Sequence, residues 1–207
     1  MLRQAEYLLD NGAPLEGVGM QGHFYGANAA PTSQETWEQY DQFADLGLKV
    51  AITEYDAFAG GWDTIVPGAS PDEAKGLFFE SILRTTFAHP AATGFTMWGF
   101  WDGAHWKNQA GLFFEDWSSK PSHQVWRRLI FDEWQSSPTV TTGQSGTANA
   151  RLFHGRYRVT IRAGVEEWSF IDYVTPGVTE LYYGLPEDKA FEQLTPEDLP
   201  GRGGEDG

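Results

Sequence analysis

The chain has no cysteine in its 207 residues, which excludes disulfides and thiolate metal sites. No apolar run is long enough to span a bilayer. Cationic side chains are scarce: 14 Lys and Arg stand against 29 Asp and Glu, a formal net charge of -15. Nucleic-acid binding needs clustered cations to neutralise phosphates, so that class is set aside, as are anionic membrane surfaces. The N-terminus, Met-Leu-Arg-Gln-Ala-Glu, has no basic region leading into a long apolar stretch and does not read as a signal peptide. No internal repeat is visible. What is plentiful is aromatic surface: 15% of residues, nine of them Trp. Tryptophan fills cores, and it also stacks on sugar rings. An acidic chain of this kind suits a neutral polymer better than a polyanion.

The length allows one good-sized domain with its own core. Residues 2–10 place Leu2, Ala5, Leu8 and Leu9 on one helical face, stopped by Gly12. Residues 17–22 read as a strand. Residues 33–46 read as a helix capped by Ser33, with Trp37, Tyr40, Phe43 and Ala44 inward and Gly47 as its end. Residues 48–54 form a second strand. Ser70-Pro71-Asp72-Glu73 is a capping box with Pro at the first helical position. Ala74, Leu77, Phe78, Ser81, Ile82 and Thr85 then follow a helical stripe, and Pro90 marks the exit. Residues 94–99 form a third strand. Residues 121–134 form a helix with Val125, Trp126, Leu129 and Ile130 inward.

The order is therefore α-β-α-β-α-β-α, an α/β pattern that implies parallel strands joined by right-handed crossovers. Each strand is apolar inside and polar near its C-terminal end, where ligands bind in such folds. The domain plan is 1–135 for this α/β portion and 136–185 for a small β extension. The extension opens on a Ser/Thr/Gly-rich stretch and carries strands around Tyr157–Ile161 and Glu167–Ile171, turned at Ala163-Gly164. Residues 186–207 are acidic and rich in Gly and Pro, and are expected to lack structure.

Residues at and beyond three strand ends carry chemistry. Glu54 closes an apolar, β-branched run. His23 is a candidate hydrogen-bond partner for its carboxylate, and Gln21 lies two residues before it. Trp98 and Trp106, eight residues apart, can wall a sugar ring. His23, His105 and Asp102 are the residues a metal site would draw on, but no His-x-x-x-His or comparable spacing supports one. No metal or other cofactor is expected.

Taken together, these segments resemble glycoside hydrolase family 10, the retaining endo-1,4-β-xylanases. Gly17-Val-Gly-Met-Gln-Gly-His-Phe24 is similar to the sixth strand of that family's (β/α)8 TIM barrel. Val50-Ala-Ile-Thr-Glu-Tyr-Asp56 is similar to the seventh, and Gly94-Phe-Thr-Met-Trp-Gly-Phe-Trp-Asp102 to the eighth. Leu112–Pro121 is similar to the segment before its last helix, and the wording around Trp98–Trp106 to a bacterial subgroup with a C-terminal β extension. The resemblance implies a partial TIM barrel, strands six to eight with their helices. It makes Glu54 the nucleophile, His23 its hydrogen-bond partner, and Gln21, Trp98 and Trp106 substrate contacts.

The departure is as informative. The family's acid/base Glu follows an Asn on the fourth strand, and this sequence contains no Asn-Glu pair. The first five strands have no counterpart, and Met1 falls within the helix before the sixth. The expectation is a C-terminal portion of a xylanase, inactive alone, with open sheet edges and an exposed apolar face prone to association. Its expected partners are xylan or another β-1,4-linked polysaccharide, and an N-terminal half-barrel fragment. The full-length protein is expected to be secreted or periplasmic. The alternatives are a β-1,4-glucanase of the same fold and a non-catalytic carbohydrate-binding remnant.

Overall fold

The computed structural model describes residues 1–184 and 192–194. Residues 1–133 form one compact unit and the described residues from Trp134 onward another. The first unit is built on a parallel sheet with a long central strand. Helix α1 spans Leu2–Asp10, followed by β1 (Gly17–Met20) and β2 (His23–Tyr25). Helix α2 spans Ser33–Ala44, β3 Lys49–Phe58, α3 Pro71–Ala88 and β4 Ala92–Met97. Helix α4 covers Pro121–Arg127 and continues as a π-helical segment, Arg128–Glu133.

Strand β3 is the hub. Its first half pairs with β1, its second half with β2, and its other edge with β4, all in parallel. The expected strand over 17–22 is thus two collinear pieces broken at Gln21-Gly22. Gly22 has φ 81, a left-handed conformation that glycine adopts without strain. Among the described residues no strand pairs with the outer edges of β1, β2 or β4. The exposed sheet positions Gly19, Lys49, Thr53, Thr93, Gly94 and Thr96 are small or polar, and Tyr25 of β2 is an exposed aromatic. Val50, Ile52, Tyr55, Asp56, Ala57 and Phe58 are the buried residues of β3.

The helices form for the reasons the sequence supplies, with local corrections. Ser70 accepts from the Glu73 amide and Glu73 reaches back to the Ser70 amide, completing the capping box. In α2 the N-cap is Thr32 rather than Ser33, because Glu35 stands three residues after Thr32 and closes the same box. Leu77 is half exposed, and Phe79 and Leu83 are buried in its place. The buried stripe of α3 is rotated one residue from the expected one. Leu8 and Tyr7 of α1 are exposed, with Ala5 its one fully buried residue. Gly76 lets α4 approach α3: a Cβ there would stand 2.9 Å from Pro121 Cβ.

In the second unit, β5 (Gly155–Ala163) and β6 (Glu166–Val174) form an antiparallel hairpin. Its two-residue loop is Gly164-Val165, not Ala163-Gly164. Only Gly164 takes positive φ, at 63, the pattern of a II′ turn. Tyr183, in β7 (Tyr182–Gly184), donates its hydroxyl to Asp172 Oδ2 at 2.8 Å. Burial, with Asp172 beside it, holds the Tyr183 phenol well above its ordinary pKa. Strand β8 (Glu192–Leu194) pairs with β7. It lies within the tail expected to lack structure; the rest of that tail is outside the described residues.

Candidate active site

A β-bulge places the candidate nucleophile. Between Ile52 and Tyr55, β3 advances three residues while β4 advances two, Phe95 to Met97. On the other edge, β3 runs from Ile52 to Asp56 while β1 and β2 run from Met20 to His23, again one residue fewer. Strict alternation would put Glu54 on the same side as the buried Val50 and Ile52. The extra residue inverts the pattern, so that Tyr55 is buried against Phe78 and Phe79 of α3. Glu54 and Asp56 then share the other side, where His23 meets both. Bulges re-aim side chains in this way and recur beside active sites. Thr53 Oγ1 donates to the Met20 carbonyl, and the Glu54 amide to the Gln21 carbonyl, so the irregular stretch stays hydrogen-bonded. Glu54 therefore sits inside β3, four residues before its end, not at the strand terminus.

His23 stands between two carboxylates. Its Nδ1 lies 2.8 Å from Asp56 Oδ1 and its Nε2 3.2 Å from Glu54 Oε2. Asp56 is fully buried, and its second oxygen accepts the Trp106 indole N–H at 2.6 Å. Each Asp56 oxygen thus has one donor, as a buried carboxylate requires. Glu54 is about one-quarter exposed. Its Oε1 has no hydrogen-bond partner among the described residues, so one oxygen is held and the other is free.

The rings close around this cluster. His23 meets Trp98 edge-on at 6.0 Å and Trp106 at 5.0 Å between centroids. Trp106 also contacts Phe58, and the Lys107 ammonium lies 4.4 Å over the Trp106 ring. Trp98 is half exposed, its amide bonded to the Tyr55 carbonyl. The structure thus brings Glu54, His23, Trp98 and Trp106 together. Gln21 reaches Glu54 through its backbone, while its side chain is exposed.

Asp102 and His105 do not join His23 in a metal cluster. Asp102 forms an ion pair with Lys120 at 2.6 Å and accepts the Gly111 amide. Burial lowers the Lys120 pKa, and Asp102 opposes that shift. Among the described residues no group of His, Asp or Glu is arranged to hold a metal ion. Two participants, Asp56 and Lys107, had no role in the sequence reading. Asp56 carried a usable signal, a second carboxylate two residues after Glu54 on a strand of period two. Lys107 carried none.

The family model of Glycosyl hydrolase family 10 matches residues 1–128. The chain belongs to this family. A protein described as Anti-sigma-I factor RsgI6, from Acetivibrio thermocellus, is 30% identical over 75% of this chain and 19% of its own length. Endo-1,4-beta-xylanase 2 of Arabidopsis thaliana is 27% identical over 74% of this chain and 13% of its own. The chain thus spans about a fifth or less of these two relatives. Among solved structures, native xylanase 10B from Thermotoga maritima matches 64% of this chain and 41% of its own, with TM-score 0.53 at 21% identity. Xylanase 10B from Thermotoga petrophila, solved with xylobiose, matches 63% and 41%, with TM-score 0.53 at 23% identity. These likenesses give the fold of the family 10 portion: part of a (β/α)8 barrel.

Proposed function

We propose that this chain supplies the nucleophile side of a retaining endo-1,4-β-xylanase. In this reading β1 with β2, β3 and β4 correspond to barrel strands six, seven and eight. Glu54 attacks the anomeric carbon of the sugar and forms a glycosyl ester. His23 holds the other carboxylate oxygen, and Trp98 and Trp106 wall the ring. A retaining enzyme needs a second carboxyl about 5–5.5 Å away to protonate the leaving oxygen. That group comes from a segment outside this sequence, and an N-terminal half-barrel is the partner that would restore it. Without it the chain alone is inactive on xylan. The full-length protein works outside the cytoplasm, because its polymer is too large to enter. The observation that carries the reading is the single imidazole bridging Glu54 and Asp56, with Trp106 bonded to the latter.

The test is 2,4-dinitrophenyl 2-deoxy-2-fluoro-β-xylobioside, whose leaving group departs without an acid. The expected result is a glycosyl ester on Glu54, located by peptide mass spectrometry and absent in Glu54→Gln. No adduct, or an adduct on another residue, overturns the reading. The cellobioside analogue distinguishes a β-1,4-glucanase.

Two observations favour a second reading, sugar binding without turnover. The sequence lacks the Asn-Glu pair, and a relative matched over 75% of the chain is named as an anti-sigma factor rather than an enzyme. Xylo-oligosaccharide binding with no ester on Glu54 would support it.

A further inference from the structure

The residues beside the two tryptophans touch each other. Gly99 follows Trp98, and His105 precedes Trp106. A Cβ on Gly99 would stand 2.6 Å from His105 Cδ2 and 2.9 Å from its Nε2. The imidazole therefore occupies the space that any other side chain at position 99 would need. Its far side is fixed as well: the Lys107 amide donates to His105 Nδ1 at 3.2 Å. Nδ1 thus carries the lone pair and Nε2 the proton. Nε2 is buried with no hydrogen-bond partner among the described residues. Burying an unmatched donor is costly, and a leucine would fill the same volume without it. What the imidazole adds is an acceptor aimed at the Lys107 amide. That amide leads directly into the ammonium lying over Trp106.

We propose that His105 is a positioning residue: wedged against Gly99 and bonded to the Lys107 amide, it sets the spacing and tilt of Trp98 and Trp106 around His23 and Glu54. The inference rests on the reading that the two tryptophans wall the sugar site. It makes the wall conditional on a neutral ring. A protonated Nδ1 would point its N–H at the Lys107 N–H, and the contact would break. The charged groups around the ring are Asp56 from β3, Asp102 from the same loop, Lys120 from the start of α4 and the neighbouring Lys107. Burial is the largest influence and lowers the His105 pKa, with Asp56 opposing it. The neutral contact is therefore complete above the ordinary histidine range, about 6.5. It is lost as pH falls through the lowered value.

A reporter independent of sugar tests this on the full chain. The Trp106 indole N–H, bonded to Asp56, gives its own resonance in a nitrogen–proton spectrum. In the wild type, acid moves that resonance with the midpoint of the His105 ring. His105→Asn offers an oxygen to the Lys107 amide and does not titrate. It should keep the resonance in place at neutral pH and remove the His105-linked movement. His105→Leu displaces the resonance at every pH. Gly99→Ala displaces it in the wild type and much less in the His105→Asn background. An unmoved resonance in His105→Leu, or the same acid movement surviving in His105→Asn, overturns the proposal.

Xylotriose titrations followed by tryptophan fluorescence separate this inference from the functional reading. His105→Leu should weaken binding about 10-fold and His105→Asn no more than about 2-fold. If the wild type binds no xylotriose while the indole resonance behaves as described, the sugar reading fails and the positioning role stands.

Discussion

Two clusters of charge join elements of the first unit, and burial separates them. On the site side, Asp56 is fully buried between His23 and Trp106, and Asp102 meets Lys120, which is 2% exposed. On the helical side, Glu80 and Glu133 meet Arg84 and Arg128 across α3 and the π-helical segment. Those side chains are 22–42% exposed. Water competes for every bond in the second cluster and for none at Asp56. Similar chemistry therefore has different worth: a lost partner leaves a stranded buried charge in one place and a hydrated one in the other.

Lys120→Met should give the largest effect. It strands Asp102, and urea denaturation should show a loss of about 3–5 kcal/mol. A loss below about 1 kcal/mol would mean that water reaches Asp102, and the contrast would collapse. Trp106→Phe keeps the ring and removes the donor to Asp56. The expected loss is about 1–3 kcal/mol, and glycosyl labelling of Glu54 should slow with it. Arg128→Met cuts two bonds of the exposed cluster, yet its cost should be about 0–1 kcal/mol and should shrink further in high salt. A salt-insensitive cost would place that cluster with the buried one.

The smallest effect is a pH slope. The Arg128 hydrogen bond, helped by Arg84, lowers the Glu80 pKa. Glu80 thus contributes stability above the ordinary Glu value of about 4.3, and that contribution is lost as pH falls through the lowered value. Glu80→Gln should flatten the stability curve in that window; an unchanged slope would assign it to other carboxylates.

Much of the first unit was legible because its signals are local. Ser70-Pro71 with Glu73, and the alternation of α and β segments, need only the residues themselves. The short motifs around Glu54, Trp98 and Trp106 carried the family resemblance for the same reason. What the sequence hid depends on neighbours. Leu77 belongs to an apolar stripe on paper, but the position of α3 turns Phe79 and Leu83 inward instead. The break at Gln21-Gly22 and the extra residue in β3 appear only when three strands are aligned. Without them, Val50 and Ile52 would have assigned Glu54 to the wrong face. Lys107 gave no sign at all, because a cation over a ring is a property of the fold.

The bulge in β3 has a consequence for how this chain can change. Substitutions alter side chains one at a time and can tune a site by degrees. The orientation of Glu54 depends instead on a count, one residue more in β3 than in either neighbour. Straightening β3 with every residue kept would exchange the two faces from that point onward, sending Tyr55 toward His23 and Glu54 toward the phenylalanines of α3, whereas deleting Thr53 would remove the bulge and leave both side chains on their present faces. No gradual path connects those states. The bulge itself is the switch between a chain with a presented carboxylate and one without, whatever residues surround it.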